Sequence, residues 1–180
     1  MKNSALFHWY KREKRLLFGL SACIITVLLV LLAQAIDREM ARAEKAMFTT
    51  VLTDLNAMLI FKTAEKVAQN NKQEIKKFVN HNPMEWMDET PVNYSGVEEG
   101  DYAHVAPGHW FFSKREKAII YRVINKDMVE LTDTDETEFM RFRVVLDYLD
   151  HNRNQQFDEP TERLIGLKLK PLQGYQWRPL

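Results

Sequence analysis

Cysteine is nearly missing from this chain: the one thiol, Cys23, falls within an uncharged stretch near the N-terminus, so no disulfide can hold the remainder together. Glycine and proline are missing from the whole interval between Gly19 and Pro83, which removes every strong helix breaker from that part of the sequence. Charge is missing from Leu16 to Ile36, where only Ser21, Thr26 and Gln34 interrupt the apolar run. A basic excess is missing too. Beyond residue 36 there are 20 basic and 24 acidic residues, so the positive field that nucleic-acid binding draws on is not there. The five histidines, His8, His81, His104, His109 and His151, are scattered without metal-ligand spacing, and there is no HExxH, GxSxG or phosphate loop. No small-molecule substrate is evident, and an enzyme is not expected.

What is present begins with the uncharged run itself. Residues 16–36 as a helix cover about 30 Å, the thickness of a bilayer's hydrocarbon layer. The tail 1–15 carries Lys2, Lys11, Arg12, Lys14 and Arg15 against Glu13, so the positive-inside rule keeps the N-terminus in the cytoplasm and exports the chain beyond the span. Phe7, Trp9 and Tyr10 suit the interface where the chain enters the membrane. Ala33-Gln34-Ala35 has the spacing of a signal-peptidase site, but the run exceeds the usual apolar core of a signal peptide, and its length favours a retained anchor.

After the span the sequence shows two regimes. Met47, Phe48, Val51, Leu52, Leu55, Met58 and Leu59 recur at three- and four-residue intervals, the signature of an amphipathic helix within residues 37–80. The stripe is broader than a coiled-coil seam and suits a helix lying on a sheet. Gln69-Asn70-Asn71 predicts a break, with a short helix after it over 74–80. From Pro83 onward the chain holds five of the six glycines and all six prolines, and reads as strands and turns. His109–Ser113 and Ala118–Asn125 predict an antiparallel hairpin across Lys114-Arg115-Glu116-Lys117. Phe139–Tyr148 alternates as a strand does, and Leu164–Leu169 is another strand candidate. The expected fold is α+β: a long N-terminal helix, transmembrane and then amphipathic, packed on a small antiparallel β-sheet formed by residues 81–180.

Asn82-Pro83-Met84-Glu85-Trp86, Pro91-Val92-Asn93-Tyr94-Ser95-Gly96, Pro107-Gly108-His109-Trp110-Phe111-Phe112 and Ile120-Tyr121-Arg122-Val123 resemble the motif string of pilin-like proteins in mannose-sensitive haemagglutinin (MSHA) type IV pilus systems. The resemblance covers residues 16–125 best. It implies a pilin-like fold, a bacterial inner-membrane anchor with the C-terminal domain in the periplasm, and other pilus-assembly or pilin-like proteins as partners. On this reading Trp86, Tyr94, Trp110 and Tyr121 are structural, and Met47, Val51, Leu55 and Met58 form the face for partner helices. One departure stands out. Pilins are cleaved after a glycine that precedes Phe-Thr-Leu-x-Glu, and the glutamate within the span assists assembly. Here Phe18-Gly19-Leu20 breaks that order, and no acid occurs between Gly19 and Asp37. The expectation is therefore a retained, non-enzymatic accessory component, with a minor pseudopilin of type II secretion as a variant.

A second class of function rests on Asp150–Glu162. Asp150, Asn152, Asn154 and Asp158 take loop positions one, three, five and nine of an EF-hand-like calcium loop. Gln155 stands where that loop needs glycine, and Glu162 falls one residue late for the final ligand. Calcium is thus the one candidate cofactor, in a membrane-tethered calcium or ligand sensor. The competing reading is a loop of Asx turns closed by its own side chains.

Overall fold

The computed structural model describes residues 3–132, 138–154, 156–158 and 161–178, with side chains described from Leu17 onward. The chain divides into two compact units, Met1–Ala43 and Glu44–Pro179, and helix α1 (Asn3–Ala68) contributes to both.

In the first unit the uninterrupted helix reflects the lack of glycine and proline after Gly19. Its described stretch is long and apolar enough to cross a membrane, and none of the most apolar part is covered by protein. The hydroxyl of Thr26 donates to the Ala22 carbonyl at 2.9 Å, so this polar group within the span is satisfied by the helix itself.

In the second unit α1 carries Phe48, Val51, Leu55 and Leu59 into the interior, at the spacing of one helix face. It ends as its asparagines dictate. Asn70 adopts φ 56°, Asn71 N–H donates to Lys66 O and Asn70 N–H to Val67 O, which is a Schellman closure with asparagine in the left-handed position. The break expected at 69–71 is thus in place. The short helix after it is a 3-10 segment, Lys72–Phe78, whose Ile75 is buried.

Seven strands complete the unit: β1 (Tyr94–Glu98), β2 (Trp110–Ser113), β3 (Ala118–Arg122), β4 (Val129–Thr132), β5 (Phe139–Leu149), β6 (Arg163–Pro171) and β7 (Gly174–Trp177). The main sheet has the order β1-β2-β3-β5-β6, and β4 pairs with β7 in a separate two-stranded sheet. The β2–β3 hairpin pairs Trp110 with Tyr121 and Ser113 with Ala118, joined by the charged tetrapeptide. The structure corrects the expectation in two respects. The sheet is antiparallel except at β1, which runs parallel to β2, and residues 129–132 and 174–177 form the small second sheet. The α+β class stands.

Alternation divides the sheet's residues between two faces. Trp110, Phe112, Ile119, Tyr121, Met140 and Phe142 cluster with Phe48, Val51 and Leu55 of α1. Phe111, Ala118 and Ile120 point the other way and are covered by Tyr102 and Val105. A third cluster joins Leu59 and Ile75 to Val144 and Leu167. Helix and sheet come close at Gly166, where an added Cβ would lie 2.8 Å from Thr63 Cγ2, and Thr63 Oγ1 accepts the Leu167 N–H at 3.1 Å.

Candidate interaction surface

Phe48 is the centre of the aromatic core. Its ring stacks on Trp110 at 5.4 Å and meets Tyr121, Phe142, Tyr175 and Trp177 at centroid distances of 5.2, 5.9, 5.7 and 5.6 Å. Aromatic pairs at such distances add to the burial of their area. Trp110 and Tyr121 are both buried in this cluster.

One turn before Phe48 on the same face lies Glu44, a buried carboxylate. It accepts from Tyr121 Oη at 3.2 Å, Ile124 N at 2.7 Å, Asn125 N at 3.0 Å and Asn125 Nδ2 at 2.8 Å. Four donors replace the water that burial removes, and two of them are backbone groups at the end of β3 that no strand pairs. Burial, reinforced by the carboxylate beside it, pushes the Tyr121 phenol above its ordinary range. Sequence reasoning missed Glu44 because it stands among the mixed charges of 37–45; its signal was its place in the Phe48–Val51–Leu55 register.

The motif residues 82–94 build the wall beside the helix. Asn82 caps a 3-10 turn (Pro83–Trp86) by accepting Met84 N–H at 3.1 Å, and its amide donates to Tyr94 Oη at 3.0 Å and Glu85 Oε1 at 3.1 Å. Trp86 packs edge-on against Phe78 at 4.9 Å. Asn93 Nδ2 donates to Gly108 O at 2.6 Å, and Trp110 N–H to Asn93 O at 2.8 Å, so the segment is tied to the start of β2. Gly108, at φ 82°, permits that turn; a Cβ there would meet Ile124 Cδ1 at 2.8 Å.

Between this wall and α1 runs a surface groove. One part, about 680 Å³, has Met47, Thr50, Val51 and Asp54 on the helix side and Glu89 and Val92 opposite. A second part, about 420 Å³, continues along Ala57, Met58 and Phe61 to Trp86, and Met87 and Glu89 line both. The partner face expected at Met47, Val51, Leu55 and Met58 needs correction here. Leu55 is fully buried because the sheet lies on that side of the helix, so it is not a free contact residue, while Val51, nearly buried, reaches only the floor of the groove. Met47 is exposed, Met58 is half-buried, and Phe61, at 66% exposure, joins them.

The 150–162 loop brings its expected residues together. Asn154 N–H donates to Asn152 Oδ1 and Gln156 N–H to Asn154 Oδ1, two Asx turns in succession. The amides of Asn152 and Asn154 both donate to Asp158 Oδ2, at 2.8 and 2.7 Å. Buried Glu162 accepts the backbone N–H groups of His151 and Asp158, while Asp150 is half-buried at the loop's start. The loop is closed by its own donors. Gln155, the departure from the calcium pattern, lies outside the described residues.

Fold and surface together define a class: an α+β domain carried on a helix long and apolar enough to cross a membrane. Comparison with protein-family models, with curated proteins and with solved structures gives no match.

Proposed function

We propose that this chain is a non-enzymatic accessory component in the assembly of a type IV pilus of the MSHA kind, anchored in the bacterial inner membrane with its domain in the periplasm. The observation that carries the reading is the use made of the motif residues. Asn82, Tyr94, Gly108, Trp110 and Tyr121, which resemble the MSHA pilin-like string and in particular that of the biogenesis protein MshF, hold the wall and the helix-facing side of one domain. A long helix that is apolar first and sheet-packed afterwards is the plan of pilin-like proteins, and it supports the same reading. The span holds no acid and lacks the processing order around Gly19, which favours a protein that stays where it is inserted.

The test is made on native pili and membranes. The full-length chain, with its original N-terminus, should fractionate with the inner membrane, be absent from sheared pili by mass spectrometry, and be required for normal pilus number. A mature form beginning at Leu20 and present in the fibre would make it a pilin subunit instead.

A further inference from the structure

The groove beside α1 has a form and a charge that together specify an occupant. Its helix side runs from Ala46 to Phe61, about 22 Å at 1.5 Å per residue, which matches four turns of a second helix. Small or short side chains, Ala46, Thr50 and Ala57, recur along it, so another backbone can come close. Met47, Phe61 and Val92 stand exposed along its length and offer apolar contact.

The rim is acidic. Asp54, Asp88 and Glu89 are exposed, and no ion pair among the described residues involves any of them. Lys62, the cation at the far end, is engaged by Glu65 at 3.2 Å. A second copy of this chain would bring its own Asp54 face against these carboxylates, and like charges in an interface oppose association. We infer that the groove takes an amphipathic helix of a partner protein, with lysine or arginine flanking its apolar stripe. This deepens the accessory-component reading and rests on the chain acting by contact, while being independent of the pilus.

The test uses the full chain in nanodiscs of zwitterionic lipid, with empty discs as the blank. Two labelled peptides of about four turns share one leucine stripe and differ in carrying lysine or glutamate beside it. The lysine peptide should bind roughly tenfold more tightly, by anisotropy at low salt, and lose that advantage as salt is raised. In Asp54→Lys/Glu89→Lys, both exposed positions, the preference should pass to the glutamate peptide, a reversal that lipid partitioning cannot produce. An unchanged preference in that variant would overturn the inference, as would binding of neither peptide. So would a disulfide-linked dimer through Thr50→Cys in a Cys23→Ser background, which would make a second copy the occupant. Binding by a chain that proves dispensable for piliation would sink the pilus assignment and leave this one standing.

Discussion

A carboxylate removed from water must be repaid in hydrogen bonds, and at Glu44 two of the four come from backbone groups just beyond β3. Glu44→Ala removes the acceptor that Ile124 N–H, Asn125 N–H and the Tyr121 hydroxyl share, and an expected loss of about 1–3 kcal/mol should appear in chemical denaturation. Tyr121→Phe keeps the ring against Phe48 and removes one hydrogen bond, for about 1 kcal/mol. The pair also predicts a pH dependence. Because the folded state holds the Tyr121 phenol above its ordinary value, its stabilising contribution is complete below about pH 10 and is lost as pH rises beyond that. Burial raises Tyr94, Tyr102 and Tyr175 in the same direction, so Tyr121→Phe should flatten the alkaline decline in melting temperature without abolishing it.

At the scale of elements, the helix has one face committed to the sheet and another left open. Leu55→Lys places a charge where no water reaches and should prevent folding, whereas Met47→Lys should leave the thermal melt unchanged within about 0.5 kcal/mol. Circular dichroism on the two variants separates these outcomes. Where α1 meets β6, Gly166→Ala forces Thr63 aside and should cost about 1–3 kcal/mol, with a smaller cost in a Thr63→Ala background, because the two positions are coupled. Much of this architecture is legible in the sequence. β5 announces itself through alternation, β2 and β3 as β-rich runs on either side of a charged tetrapeptide, β6 as a short strand candidate, and the helix through its period. β1 does not, since its five residues pair in parallel with β2 across an irregular register, and Gly96 interrupts the apolar pattern. β4 and β7 are four residues each and are defined by one another, a pairing across more than forty residues that no local window contains. The broad apolar stripe reads as one surface; burial splits it, with Leu55 inside and Met47 outside. The acidic groove is illegible because Asp54 and Glu89 become neighbours only after the 82–94 wall is tied down by Asn82 and Asn93.

On the scale of the whole molecule, the division after Ala43 implies that Glu44–Pro179 owns its core, with all three clusters inside it. A fragment beginning at Glu44 should be soluble and unfold in a single cooperative transition; a broad, non-cooperative melt would show that the preceding segment is needed. Phe48 sets a further condition, on time. Its ring is made more than 120 residues before two of the five rings around it, Tyr175 and Trp177. Synthesis therefore delivers a chain whose central cluster cannot close until β7 (Gly174–Trp177) has been made. The order in which the residues arrive leaves a translation product that stops short of Gly174 with an open core, ready for proteolysis.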